Sequence, residues 1–183
     1  MSLRDAAQAT LRAWTAPDAA QAALRQEFLD YLDTHPDGMW RESSPAHLTA
    51  SALAVDDAGM AAALVLHRKV RRWLQPGGHC EAGDATLRDA ALREATEETG
   101  LLGLTPIGDG PADLDRHPAP CRPGRGDQHF DVRFLFRAVP SAQPTVSEES
   151  LDVRWFPLSE LAASDDASIA RLARRALDHI GST

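Results

Sequence analysis

The sequence predicts an α/β fold in which a mixed β-sheet is flanked by helices. Apolar residues recur at helical spacing near both ends of the chain, and alternating or wholly apolar runs typical of strands occupy the middle. Between these strands lies a segment typical of one central helix, which is the order found in layered sheet-and-helix domains. Of the 183 residues, 43% are hydrophobic and 25% are charged, as in globular proteins that bury a core.

The first forty residues, 1–40, are predicted to form a helical extension ahead of one domain over residues 41–183. Apolar residues at helical spacing indicate helical structure from about Leu3 to Leu32, and Pro17 is suited to a first helical turn. Pro, Asp and Gly in the segment Thr34–Trp40 end it. Three roles are open for this extension: covering the core, shaping a substrate pocket, or forming the contact of a homodimer.

The strands are predicted next. The segments His47–Val55 and Met60–Lys69 form a hairpin around the turn sequence DDAG, and RRWLQPGGH then gives a short strand that runs into a Pro-Gly-Gly turn. LLGLTPIG is a further strand candidate. The segment Gln128–Val139 alternates apolar with charged side chains, as strands with one buried face do, and LDVRWFPL gives another strand. The proline-rich and glycine-rich segment Asp109–Asp127 is predicted as a long loop.

Two further helices follow from local signals. A central helix is predicted from about Thr86 to Thr99, because Thr86 and Asp89 match a capping pattern and Gly100 lies where a helix ends. The chain is predicted to close with an amphipathic helix from Ser168 to Ile180, whose apolar residues fall on one face.

Charge and composition exclude several classes of protein. The net charge of -8 argues against binding a nucleic acid polymer, which draws on clustered Lys and Arg. The longest apolar run, Met60–Leu66, is too short to span a bilayer, and the start MSLRDAAQ lacks a leader pattern, so no membrane partner and a cytoplasmic location are expected. The two cysteines, Cys80 and Cys121, are expected to be free thiols.

The central helix carries an unusual concentration of negative charge. Glu94, Glu97 and Glu98 are spaced so that their side chains share one face, where each like-charged pair costs an isolated helix about 0.2 to 0.5 kcal/mol. A hard cation with oxygen ligands, above all Mg²⁺, would offset this repulsion. Arg93 is placed to orient a carboxylate through a charge-assisted hydrogen bond. Glycines at 77 and 78 allow backbone to approach a metal or a phosphate closely.

This segment resembles the signature of the Nudix hydrolase superfamily, which reads G, five residues, E, seven residues, then R-E-U-x-E-E-x-G-U with U aliphatic. Gly78 is followed by five residues and Asp84, and then by eight residues and REATEETGL, which runs from Arg93 to Leu101. Two departures stand out: Asp84 replaces the first glutamate, and one residue is inserted before Arg93. The insertion is predicted to lengthen the loop before the helix, since within the helix it would rotate the carboxylates by about 100°.

The resemblance implies a Nudix-type α/β/α sandwich with a mixed sheet, and an enzyme that hydrolyses a diphosphate linkage in a small phosphorylated substrate with Mg²⁺ or Mn²⁺. It implies that Glu97 and Glu98 are the principal metal ligands, that Glu94 is a further ligand or orienting carboxylate, and that Gly78 offers its carbonyl. Arg93 would hold the glutamates in place. Bound metal would neutralise phosphate oxygens and activate a water molecule.

The general base and the substrate are less determined. Glu148 and Glu149, before a late strand, are candidates for the base, with an exposed turn as the alternative. His79 is a candidate to face the substrate, whereas His67 and His129 are expected to be structural. A zinc site made of Cys80, Cys121, His117 and His129 is set aside because no two of them have the spacing of a ligand pair.

Two other functions remain as alternatives. A Nudix-like isomerase acting on prenyl diphosphates would use the same fold and metal but needs a dedicated cysteine and acid, for which Cys80 and Glu81 are the available pair. A non-catalytic nucleotide sensor would not need the complete set of glutamates. The sequence contains no further motif that selects a substrate, so the substrate class is not identified from the sequence.

Overall fold

The computed structural model describes residues 1–43, 45–118, 127–147 and 150–181. Within these residues two helices are followed by four strands, a central helix, four further strands and two closing helices. The elements are α1 (Leu3–Ala13), α2 (Ala19–Thr34), β1 (Ala46–Val55), β2 (Ala61–His67), β3 (Trp73–Leu74), β4 (Gly77–His79), α3 (Leu87–Thr99), β5 (Thr105–Ile107), β6 (Asp113–Pro118), β7 (Gln128–Arg137), β8 (Ser150–Pro157), α4 (Leu158–Ala162) and α5 (Ala167–Gly181). None of the described helices has the length and apolar character needed to cross a membrane.

The strands form one mixed, branched sheet. Its main path runs β3-β2-β1-β7-β5, while β4 pairs with β1, β6 with β7, and β8 with β2. The central pair β1 and β7 is parallel and the other described pairs are antiparallel. The parallel pair sets His47 beside His129, and the antiparallel pair sets Thr49 beside His79. The mixed sheet predicted from the sequence is therefore confirmed.

Helices cover both faces of the sheet. Even-numbered residues of β1, such as Leu48 and Ala52, pack into a core cluster with α1, α2 and α3. Leu53 and Val55 point to the other face, where they pack with α4 and α5. Because successive side chains of a strand alternate between faces, His47 lies on the same face as Leu53, away from α3. This confirms an α/β/α layering.

The helical N-terminal extension predicted from the sequence is present as two helices, α1 and α2. α1 is capped by Ser2 and α2 by Asp18, whose side chain accepts a hydrogen bond from the backbone N–H of Gln21. Pro17 consequently precedes the cap instead of lying in the first turn. The Phe28 ring stacks on Phe130 of β7 with centroids 4.4 Å apart, so these helices cover the core. The division of the chain at residue 40 stays a prediction.

Two other predictions were wrong in detail. The predicted Pro-Gly-Gly turn is strand β4, because Gly77 and Gly78 pair with β1. The predicted long loop over Asp109–Asp127 contains β6, whose backbone pairs with β7 although its sequence, DLDRHP, lacks strand-like residues. Ion pairs compensate for the buried carboxylates of β6, as in the bidentate contact in which Nε and Nη2 of Arg171 donate to Oδ1 and Oδ2 of Asp113, each at 2.9 Å. This correction concerns residues 109–118, because residues 119–126 lie outside the described part of the chain.

Candidate active site

The acidic helix α3 begins and ends where its sequence predicts. The Thr86 hydroxyl accepts a hydrogen bond from the N–H of Asp89 at 3.1 Å, and Gly100 closes the helix in the left-handed conformation with φ of 68°. The loop before the helix contains a turn in which the N–H of Glu81 donates to the Asp84 carboxylate at 2.7 Å. Asp84 precedes the cap, and Glu94, Glu97 and Glu98 lie within one continuous helix, so their helical spacing is retained. The position of the inserted residue in the loop stays a prediction.

Arg93 connects the loop, strand β4 and the acidic face of α3. Its Nε and Nη2 atoms each donate to the Asp84 carboxylate at 3.1 Å, and Nη2 also donates to the His79 carbonyl at 2.9 Å. Its Nη1 atom donates to Glu94 at 3.0 Å and to Glu97 at 3.1 Å. One guanidinium therefore supplies the positive charge that the clustered carboxylates require, and it holds two of them in defined positions.

The glutamates differ in their surroundings. The Glu98 side chain accepts a hydrogen bond from the N–H of Gly77 at 3.1 Å, and Glu98 is only 8% exposed. The Glu94 carboxylate lies against Gly78, whereas the Glu97 side chain is 58% exposed to solvent. Glu94 and Glu98 are thus fixed beside β4, and Glu97 extends toward solvent from the same helix face.

Glycine is required at two successive positions of β4 for different steric reasons. A Cβ at Gly78 would come within 2.7 Å of the Glu94 carboxylate oxygen. A Cβ at Gly77 would lie 2.3 Å from the Cβ of Ser51 and 2.7 Å from its Cα. The first conflict is with the end of the Glu94 side chain, and the second is with the neighbouring backbone of Ser51.

Alanine at these glycines is expected to separate activity from stability. Gly77→Ala should lower the free energy of unfolding by about 1–3 kcal/mol, as overpacking against fixed backbone does. Gly78→Ala should mainly displace Glu94 and reduce turnover by about 10- to 100-fold, as disturbed ligand orientation does in metal sites. Thermal melts and initial rates measure the two effects. Gly83→Ala is the matched control, because a Cβ there meets nothing within 4 Å. Full turnover in Gly78→Ala would contradict this interpretation.

Two ionisation states in the box, the segment from Gly78 to Leu101, follow from its surroundings. Burial opposes the charge of Arg93, but hydrogen bonds to Asp84 and Glu94 outweigh it and raise the pKa of the guanidinium above its usual value. Burial, assisted by the nearby Asp84 carboxylate, raises the pKa of the Cys80 thiol to about 12. Arg93 is therefore a permanent cation, and Cys80 is a protonated thiol at neutral pH.

The residues of the box fit a hard divalent cation. Glu94, Glu97, Glu98 and the Gly78 carbonyl would provide oxygen donors, the ligand type that Mg²⁺ and Mn²⁺ prefer. The missing side chain at Gly78 leaves a cradle beside Glu94 that any Cβ would fill. The metal-binding roles of these four residues stay predictions, as does the orienting role of Arg93, although the contacts of Arg93 match it. Glu148, Glu149 and Cys121 lie outside the described residues.

A second group of polar residues, which the sequence did not reveal, lies on the opposite face of the sheet. His47, His79 and His129 bring one ring nitrogen each within 4.8 Å of the others. Burial is the main cause that lowers the pKa of His79 to about 4 and the pKa of His129 to about 3, so both rings are neutral at neutral pH. His129 was expected to be simply structural, and its parallel pairing with His47 could not be read from the sequence.

Comparison with known proteins supports the family resemblance. A family model described as the NUDIX domain matches residues 45–176. A NUDIX-family hydrolase from Clostridium perfringens is 24% identical, over 73% of this chain and 97% of that one, with a TM-score of 0.58. An Ap4A hydrolase from C. elegans is 19% identical, over 74% and 98%, with a TM-score of 0.59. The dihydroneopterin triphosphate pyrophosphohydrolase of E. coli is 18% identical, over 69% and 90%, with a TM-score of 0.56.

The solved structures show the fold alone, because all three identities are below 25%. Comparison with curated proteins finds no match. The family model, however, spans more than half of the chain and includes the whole segment from Gly78 to Leu101. The sequence motif, the α/β/α layers and this match agree, and the chain belongs to the NUDIX domain family.

Proposed function

We propose that the protein is a metal-dependent pyrophosphohydrolase that cleaves a diphosphate linkage in a nucleoside diphosphate derivative or a similar small phosphorylated substrate. The observation that carries the proposal is the arrangement of Glu94, Glu97 and Glu98 on one helix face, organised by Arg93 beside Gly78. If these carboxylates formed only a solvated acidic face, there would be no reason for Glu98 to be buried or for one guanidinium to donate to four acceptors.

The proposed cofactor is Mg²⁺ or Mn²⁺, held by Glu94, Glu97, Glu98 and the Gly78 carbonyl. When bound, it supplies positive charge to phosphate oxygens and lowers the pKa of a coordinated water. This accounts for how a protein with a net charge of -8 accepts an anionic substrate. The small phosphorylated substrate is the proposed partner, with no role for a nucleic acid polymer.

The chain's own residues orient the site. Arg93 holds Glu94 and Glu97, Asp84 anchors Arg93 from the loop, and the N–H of Gly77 positions Glu98. In the reaction a water oxygen bonds to phosphorus, the bond to the bridging oxygen breaks, and a general base accepts the proton of the water. Glu148 or Glu149 is the proposed base, because each is a carboxylate near the start of β8 in the sequence.

The names of two structural neighbours agree with this substrate class. One is an Ap4A hydrolase and another a dihydroneopterin triphosphate pyrophosphohydrolase, and both names describe compounds with linked phosphates. The isomerase alternative is weakened by Cys80, which is buried and whose pKa of about 12 keeps it protonated. The sensor alternative is weakened by the complete set of box glutamates.

A substrate panel tests the proposal. Purified protein is incubated with nucleoside diphosphate derivatives and related phosphoanhydrides in the presence of Mg²⁺, Mn²⁺ or chelator. We expect release of phosphate or a nucleoside monophosphate with either metal and none with chelator. An isomerised prenyl diphosphate would support the isomerase instead, and ligand binding without turnover would support the sensor.

Two properties of the whole protein belong to the same proposal. A cytoplasmic location agrees with only two cysteines in the sequence, one of which, Cys80, is a free thiol. A homodimer remains the proposed assembly, and analytical ultracentrifugation of the full chain would measure it. A monomer at all concentrations would contradict the homodimer but not the hydrolase.

A further inference from the structure

Four adjacent strands carry histidines on the face of the sheet opposite α3. His79 on β4, His47 on β1, His129 on β7 and His117 on β6 follow one another across the sheet, as the strand pairing requires. Their spacing in the sequence is irregular, so the row exists only because these strands pair. From this row we propose that His47, His79 and His129 bind one divalent transition-metal ion, with Zn²⁺ as the best match.

The three rings converge on one point. Their centroids are 5.1 Å apart for His47 and His79, 4.8 Å for His47 and His129, and 5.3 Å for His79 and His129. One nitrogen from each ring lies within 4.8 Å of the other two. Ligand nitrogens of tetrahedral zinc are about 3.4 Å apart, given Zn–N bonds of about 2.0–2.1 Å, so modest ring rotations close the site.

The donor type selects a different ion from the one proposed for the acidic box. Imidazole nitrogen suits zinc, copper and nickel, whereas Mg²⁺ prefers oxygen ligands. Three histidines leave a fourth tetrahedral position for water or an anionic group. His47 is fully buried while His79 and His129 are partly exposed, so the open position would face solvent.

A chain of hydrogen bonds orients one of the ligands. His117 Nδ1 lies 3.0 Å from the Asp115 carboxylate, and His117 Nε2 lies 3.3 Å from His129 Nδ1. These distances are compatible with His117 donating its Nδ1–H to Asp115 and accepting at Nε2 from the Nδ1–H of His129. In that tautomer the lone pair of His129 is on Nε2, which is a form of imidazole that ligates metal. Carboxylate and histidine partners of this kind are usual behind metal ligands.

Strand β4 places this site next to the acidic box. Gly78 faces Glu94 on the α3 side of the sheet, while the following residue, His79, faces His47 on the other side. The His79 carbonyl accepts a hydrogen bond from Arg93. An ion on the histidines would therefore fix the strand that presents Gly78, without sharing a ligand with the box.

Zinc binding to the full chain tests the proposal without any activity measurement. Equilibrium dialysis followed by metal analysis should find one Zn²⁺ per chain at the histidines. That ion should be lost in the double variant His79→Gln/His129→Gln and kept in His179→Gln, which removes a histidine from α5 instead. The variant Glu97→Gln/Glu98→Gln should also keep it. Two results would overturn the proposal. One is that Glu97→Gln/Glu98→Gln loses zinc while His79→Gln/His129→Gln keeps it. The other is that the unaltered protein binds no zinc.

Cobalt substitution of the unaltered protein keeps the test independent of variant folding. Co²⁺ at the histidines should give the strong visible absorption of a tetrahedral site, and weak octahedral absorption alone would contradict the assignment. The positioning role of His117 is tested by His117→Phe. We expect zinc affinity about 10- to 100-fold weaker and an altered cobalt spectrum, with one ion still bound. Unchanged affinity and spectrum would remove His117 and Asp115 from the site.

Discussion

Replacing Glu98 with Gln is expected to reduce turnover of the diphosphate substrate by more than about 100-fold while leaving the protein folded. Mutation of residues that only orient metal ligands typically reduces metal affinity or activity by about 10- to 100-fold, and Glu98 is proposed as a ligand itself. The fold should be retained because the amide oxygen of Gln can still accept the hydrogen bond from the N–H of Gly77. Initial rates at saturating Mg²⁺, beside a thermal melt, measure both outcomes.

Two further variants show whether the loss of turnover is specific to the proposed metal ligands. Glu97→Gln should also reduce turnover strongly, with less effect on stability, because the Glu97 side chain is 58% exposed. Glu160→Gln on α4 is the matched control, since Glu160 is an exposed helical glutamate away from the box. Full activity in both Glu97→Gln and Glu98→Gln would refute the assignment of metal ligands to these residues.

Replacing Arg93 with Met is expected to produce the largest loss of stability. The Asp84 side chain is only 6% exposed, and the substitution removes the guanidinium that pairs with it. Leaving a buried charge without its partner costs about 3 kcal/mol at the low end of measured values. For a chain of this length that lowers the melting temperature by about 6 to 12 °C. Turnover should fall as well, because Glu94 and Glu97 lose the group that orients them.

A double-mutant cycle attributes the effect to the Asp84 pair. Asp84→Asn removes the buried charge that Arg93→Met leaves without its partner. The double variant should therefore lose less stability than the sum of the losses in the two single variants, with a difference of up to about 3 kcal/mol. Arg12→Met is the control, because the ion pair of Arg12 with Asp33 is exposed and contributes about 0–1 kcal/mol. Additive effects in the cycle would show that Asp84 does not depend on Arg93.

Local signals were sufficient for the box helix and its glutamates. Thr86 caps α3 because a hydroxyl at that position accepts from a backbone N–H, and Gly100 ends it because glycine adopts positive φ without strain. The spacing of Glu94, Glu97 and Glu98 likewise follows from helical geometry. These features depend on residues within one or two turns of each other, so the sequence contains them in full.

Predictions that involved distant pairing were less accurate. The glycines before the box were expected to form a turn, but the backbone of β1 pairs with them and extends them as β4. β6 was assigned to a loop because its segment is rich in Pro, Gly and charged residues with little periodicity, and its ladder with β7 overrides that local pattern. Tertiary pairing decides such segments, since a strand needs a partner that its own residues do not specify.

The family, the layered α/β fold and the acidic helix face could be predicted from local information, since they follow from periodicity and from one contiguous motif. Arg93 contacts Asp84 and the His79 carbonyl, and His47, His79 and His129 meet, only in the folded chain. The Arg93 contacts span 9 and 14 positions and depend on how the loop between β4 and α3 folds against the helix. The histidines are more than 30 positions apart, and strand register brings them together. Pairing between β1, β4 and β7 sets that register through backbone hydrogen bonds, which carry no signature in the side chains they bring together.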